Sequence, residues 1–532
     1  MRSGRAWLAA ILVAGVARAE ADGPPAIRSV QTGPNRQLQV NGQPFLPIMA
    51  WLQDPENFPA LKQCGMNTTA GYWPGSGGTK DVVEYMDRVA EAGLYGVLPH
   101  EQRLHGHPNL LGYIHGDEPD LPRQLSDAQV VPGAGLRLNP STPLWKIVDG
   151  VWHTWSVLDP LEGATVTIRL RQPVTVHSLA VWLTVSPGLA VAKDVVFRGD
   201  DRVILEATLK AEKGRQELRL PRPSTFRELS LTVRSVYPGR HVWGSIGEIE
   251  GLDADGRNLL VCPPRYAPRA DPEKTLAVYR RIKSQDASRP VFMTLTGNFH
   301  PHFQKWSDAQ RKQLYPRYIE AADVVGYDIY PIYGWNKPEW IHLVYEATER
   351  LSRLAGPRPV YAWIETSRGG QWTGPLERQK AVTPQHIRAE VWMAITGGAT
   401  AIGYFTHVWK PAYRQFGVPE ENRLALREIN AQLQRLAPAI LAPPPARPVR
   451  WTAHDDLRVA ALARQHNGAV YLFAVNYDPR LKHTSVRFAL DGLRPGQQVT
   501  VVDEGRRINA HDGSFTDTFE PLAVHIYRVD LR

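Results

Sequence analysis

Cysteine is nearly absent from this chain of 532 residues, which holds only Cys64 and Cys262. A disulfide framework is thereby excluded, and the two thiols stand either as one bridge or as two free groups. Long hydrophobic runs are missing too. The longest, Ala6 to Ala17, falls short of the roughly 20 residues needed to cross a bilayer. No stretch interleaves Lys/Arg with aromatics, which argues against nucleic acid as a partner. The absence of internal repeats and low-complexity tracts excludes solenoids and propellers. No Gly-x-Ser-x-Gly elbow or phosphate-cradling glycine loop is present. His105-Gly106-His107 and His300-Pro301-His302 lack the further ligands that would complete a metal site, so no metal and no cofactor is expected.

What is present describes a multidomain globular protein. At roughly 100–200 residues per domain the length calls for about three domains, and 43% hydrophobic with 22% charged residues is an ordinary soluble balance. Of the formal charge of +9, three units come from Arg2, Arg5 and Arg18 in the first segment. Those arginines flank the apolar run, and Ala17-Arg18-Ala19 offers a small-x-small cleavage pattern, so residues 1–19 read as a signal peptide. The mature chain is expected in the periplasm or medium, without stable membrane insertion.

Eight short β-rich runs alternate with amphipathic stretches: 45–51, 66–72, 94–98, 110–115, 291–295, 324–330, 360–365 and 401–405. Helix signals lie between them. Thr383 can cap a helix that starts at Pro384 and ends at Gly397-Gly398, and similar stretches cover about 80–92 and 272–284. Segments 36–120 and 265–440 together supply what a (β/α)8 TIM barrel of roughly 250 residues needs. The expected fold is therefore an α/β barrel interrupted after strand four.

The interruption, 121–264, alternates apolar and polar residues in 165–170, 176–182 and 218–220, as an all-β sandwich does. It resembles the galactose-binding-like, discoidin-type domains through Leu144-Trp145-Lys146-Ile147-Val148-Asp149-Gly150 and Trp243-Gly244-Ser245-Ile246-Gly247-Glu248-Ile249-Glu250. Many members of that group bind sugars and others pack against a neighbour. A proline-rich connector at 441–448 introduces a C-terminal β-sandwich over 445–532, with runs at 469–475 and 522–527.

Barrel enzymes place their chemistry where strands end in loops at the C-terminal face. Glu118 follows the fourth run in His115-Gly116-Asp117-Glu118-Pro119, and Glu365 ends the seventh. Here the chain resembles the clan of retaining (β/α)8 glycoside hydrolases over about residues 36–440, including the entry Val40-Asn41-Gly42-Gln43-Pro44-Phe45-Leu46-Pro47. The resemblance implies Glu118 as acid/base and Glu365 as nucleophile of a double displacement on a β-linked saccharide, with carboxyl groups about 5–5.5 Å apart; a gap of about 6.5–9.5 Å would mean inversion. Where many members carry Asn, this chain has Asp117. It either binds sugar in another orientation, shares a proton with Glu118, or takes over as the acid.

Sugar rings stack on aromatic faces, and the chain holds 16 Trp and 19 Tyr. Trp51, Tyr72, Tyr327, Trp363 and Trp409 are candidates for the cleft, with Asp328 as a polar partner; each aromatic could equally fill the core. The competing function is a non-catalytic carbohydrate-binding protein on the same barrel. A transglycosylase would use the same residues.

Overall fold

The computed structural model describes residues 24–531. The proposed signal peptide lies outside the described residues. The chain forms two compact units, one from the described residues up to Leu121 together with those from Pro268 onward, the other spanning Pro122–Ala267.

In the first unit eight parallel strands close a barrel: β1 (Ile48–Trp51), β2 (Thr68–Ala70), β3 (Tyr95–Leu98), β4 (Leu110–Ile114), β5 (Val291–Thr296), β6 (Val324–Asp328), β7 (Val360–Glu365) and β8 (Ala401–Phe405). Closure runs through β8 against β1, with Gly403 opposite Met49, and through β4 against β5, with Tyr113 opposite Val291. Both faces of these strands are buried, which is why the sequence shows continuous apolar runs instead of alternation. The interrupted barrel expected from the sequence is therefore present.

Helices α1 (Phe58–Gln63), α2 (Val82–Glu91), α3 (Pro272–Gln285), α4 (Asp308–Glu320), α5 (Leu343–Ala355), α6 (Pro384–Thr396) and α7 (Glu420–Ile440) cover the strands. Their starts are chemically marked. Asp81 accepts from the amides of Val83 and Glu84, Ser307 forms a capping box with Gln310, and Thr383 caps α6 with Pro384 in its first turn. One helix of the ideal pattern is missing. The link from Pro99 to Asn109 between β3 and β4 is too short for one and makes only a 3₁₀ turn, Gln102–Leu104.

The barrel interior is filled by large rings standing over glycines. A Cβ on Gly326 would lie 2.1 Å from the Tyr361 ring, and one on Gly403 would lie 2.2 Å from the Trp363 ring. An antiparallel sheet of Val30–Thr32, Leu38–Val40 and Gln43–Phe45 precedes β1, and its Val30, Leu38 and Val40 join Phe292, Tyr361 and Trp363 in one apolar cluster. At the other end of this unit, a three-stranded and a five-stranded sheet enclose a core including Phe488, Phe515 and Tyr527. Trp392 of α6 stacks on Phe473 of the five-stranded sheet at 5.4 Å and 16°.

The second unit is all-β. Its long strands Thr165–Leu183 and Gly214–Val233 pair antiparallel with register shifts at Arg169/Val174 and Val176/Ser178. Such irregularities bend a sheet, and the strands enclose Val166, Ile168, Phe197, Leu231 and Ile249. Cys64 and Cys262 are both free thiols, the former buried. Among the described residues no helix is long and apolar enough to cross a membrane.

Candidate active site

The turn after β4 carries the sequence's densest acid chemistry, and its backbone is unusual. Glu118 sits at φ +47°, a left-handed conformation that non-glycine residues adopt at a cost of about 1–3 kcal/mol. The surroundings enforce it. Asp120, fully buried, accepts from the amide and hydroxyl of Thr296 at 2.8 and 2.6 Å and from the Tyr315 hydroxyl at 2.8 Å. Arg269 donates to the Asp117 carbonyl at 2.7 Å and reaches the Glu118 carboxylate at 3.4 Å. Glu118 is thus pulled from one side by a cation while Asp120 anchors the turn from below.

Asp117, Glu118 and Asp328 converge. Asp328 at the end of β6 lies beside Glu118 and Asp117, and its buried Oδ1 has no hydrogen-bond partner among the described residues. Asp117 is exposed to solvent yet ringed by protein that strips much of its hydration. That desolvation, with the charge of Glu118, pushes its carboxyl up to about 7 against the opposing pull of Arg269. Asp328 is held well above the usual carboxylate range by desolvation and then by Glu118 and Asp117. Asp120 rises to about 6, chiefly through burial. An accessible group titrating near neutrality beside other carboxyls is what general acid–base chemistry requires.

Glu365 has different company. It is wholly buried and accepts from the amide of Ile332 at 2.9 and 3.1 Å and from that of Tyr333 at 2.6 Å. Its remaining partner is Glu390 of α6, also wholly buried. Among the described residues Glu118 and Glu365 share no hydrogen-bond partner. The position of Glu365 as the last residue of β7 was readable; the burial of its carboxyl behind the loop after β6 was not.

The aromatic candidates divide. Tyr327 is fully buried and turned to the helix layer, donating to the Val344 carbonyl at 2.7 Å with Thr348 Oγ1 also at 2.7 Å, so it does not line the cleft. Trp363 is 3% exposed, donates to Thr294 Oγ1 at 3.1 Å and packs 5.3 Å from Trp51; both belong to the barrel filling. The half-buried Tyr72 rests 5.1 Å from Tyr85, its hydroxyl accepting from the Gly75 amide. Trp409 joins a partly exposed wall running Tyr330, Phe405, His407, Trp409, Tyr413 and Trp73, with successive rings about 4.9–6.4 Å apart. Tyr330 feels the charges of Asp328, Asp117 and Glu118, so this wall begins at the acids.

Arg269, Phe405, His407, Tyr413 and Glu390 were missed by sequence reasoning. The alternation Phe405-Thr406-His407-Val408-Trp409 at the end of β8 was a visible signal, as was the lone acid before Val391-Trp392-Met393. Nothing in the sequence marks Arg269. The histidines went elsewhere: His100 meets His105 at 3.1 Å, His107 faces Asp87 at 3.5 Å and His300 faces Glu346 at 3.8 Å. Among the described residues no group of three or more His, Cys, Asp or Glu could hold a metal.

No protein-family model matches the chain, and no curated protein matches it. Among solved structures, the family 32 carbohydrate-binding module of C. perfringens NanJ, in complex with galactose, is 13% identical, the match covering 24% of this chain and 97% of that one with a TM-score of 0.21. Alpha-amylases of Anoxybacillus and Geobacillus thermoleovorans, the latter complexed with acarbose, are each 12% identical at a TM-score of 0.34, covering 50% of this chain. The matched region spans 57% and 58% of their own length. These neighbours are glycoside hydrolases and a carbohydrate-binding module.

Proposed function

We propose that the protein is an exported glycoside hydrolase whose reacting carboxyls are Asp117 and Glu118, assisted by Asp328. The observation that carries the reading is the convergence of these three acids at the C-terminal ends of β4 and β6, where an aromatic wall begins. Cleaving a glycosidic bond takes one carboxyl that is protonated and one that is ionised. Asp117, accessible and titrating near neutrality, is the proton donor. Glu118, beside Arg269, is the carboxylate that stabilises positive charge at the anomeric carbon or activates water. This reading departs from the Glu118/Glu365 pair because the Glu365 carboxyl is wholly buried and already accepts from two amides. With Glu365 left out, the double-displacement course on a β-linked saccharide loses the nucleophile on which it was based.

The test is cleavage of a panel of aryl glycosides of both anomeric configurations. Asp117→Asn and Glu118→Gln should each lower kcat by about 10²–10⁴, with the fold retained by circular dichroism. Saccharide binding without turnover by the native protein would favour the non-catalytic reading, and turnover unaffected by both substitutions would refute the assignment.

A further inference from the structure

Glu390 is the one acid on the inner side of α6, and its surroundings are hostile to charge. It is wholly buried, and neither carboxyl oxygen meets a side-chain donor among the described residues other than the carboxyl of Glu365. Two carboxyls in contact with no cation beside them do not both ionise until the pH is alkaline, and below that they hold a proton between them. Glu365 must be the acceptor, because three hydrogen bonds from the Ile332 and Tyr333 amides already favour its charged form. Glu390 is accordingly the donor.

The bonded loop matters for the cleft. Ile332 and Tyr333 follow Tyr330, the wall residue nearest the acids, and Tyr333 packs 6.1 Å from Tyr330 and 5.4 Å from Phe405. We infer that Glu390 is a positioning residue: its carboxyl proton, donated to Glu365, holds the loop after β6 and thereby the Tyr330–Phe405 end of the aromatic wall. When that proton leaves, two buried charges repel and the amides of Ile332 and Tyr333 lose their acceptor.

The groups facing the pair are few. Tyr327 of β6 feels Glu390, and Tyr333 of the loop feels Glu365; both are neutral phenols. Arg388, two residues earlier on α6 and so on another side of it, faces Asp503, Glu504 and Glu428 instead. Burial raises both members, Glu365 to about 7 and Glu390 well above its ordinary value, so the pair's last proton is lost on the alkaline side. The inference rests on the proposed cleft only for its consequence, since the brace itself can be read without substrate.

The experiment is hydrogen exchange by mass spectrometry on the full chain, following peptides that contain 330–336, with protection corrected for intrinsic rate at each pH. Native protein should lose protection there by about tenfold or more between about pH 7 and pH 10. Glu390→Gln, whose amide donates at any pH, should keep it throughout. Glu365→Gln, with one acceptor oxygen fewer, should be less protected at every pH. Constant protection in the native protein across that range, or the same alkaline loss in Glu390→Gln, overturns the proposal. Should Glu390→Gln fail to fold, the native series and Glu365→Gln decide. In the cleavage assay, an absence of any cleavage would sink the cleft's proposed chemistry while leaving the exchange result intact.

Discussion

Replacing Gly403 by alanine is the sharpest probe of the barrel's interior, because intrinsic preference and packing push in opposite directions. On backbone grounds alone alanine is the better strand residue, glycine losing about 0.5–1 kcal/mol to it. Yet the added methyl would stand 2.2 Å from Cε3 and Cζ3 of Trp363 and 2.9 Å from Cδ2, where carbon atoms normally rest about 3.5–4.0 Å apart. Trp363 has nowhere to go. It is 3% exposed, tied through Nε1 to Thr294 at 3.1 Å, and pressed against Trp51 at 5.3 Å. Overpacking of this kind costs about 1–3 kcal/mol, and a clash on a pinned ring belongs at the upper end. For a unit of this size that is a fall in Tm of roughly 2–4 °C, measurable by scanning calorimetry. Trp363→Leu in the same chain makes room, so the double variant should be less destabilised than the sum of the singles by about 1 kcal/mol or more. A Gly403→Ala protein that melts with the native one, or strict additivity with Trp363→Leu, would refute the close-packing argument.

Two further outcomes follow from the site. Arg269 lowers the Asp117 carboxyl, so Arg269→Met should raise it; if Asp117 must be protonated to act, activity is lost as pH rises through about 7 in the native protein and at higher pH in the variant. A pH–rate profile with an unmoved alkaline limb would argue against Asp117 as the donor. Tyr327→Phe leaves the Thr348 hydroxyl and the Val344 carbonyl with one partner fewer and should cost about 1–2 kcal/mol in denaturant unfolding with KM unchanged; a KM effect without a stability effect would return Tyr327 to the cleft.

The barrel was legible because its signal is redundant. Strands buried on both faces gave eight apolar runs, and caps such as Thr383-Pro384 punctuated the helices between them. The turn at Asp117-Glu118 was legible for the same reason, being fixed by the end of a recognisable strand. Side-chain direction was not. Tyr327 and Asp328 are neighbours on β6, yet one turns to the helices and the other to the acids, and no composition rule distinguishes them. Glu365 shows the limit most clearly: strand position told where its backbone lies, while its carboxyl's fate depended on Ile332, Tyr333 and Glu390, brought to it only by tertiary packing. Arg269 is the converse case, a residue without any motif that becomes the acids' counter-charge.

The splice after β4 has a consequence for the acid turn. The strand that leaves the barrel, Pro122–Leu125, is hydrogen-bonded to the strand that returns, Arg265–Pro268, and the amides of Arg269 and Ala270 reach back to the carbonyls of Leu121 and Pro119. Glu118 and its guanidinium partner stand 151 residues apart along the chain, with an entire β unit between them. Pairing at the splice restores the lost adjacency like a hem drawn shut, and with it the acid turn has its counter-ion.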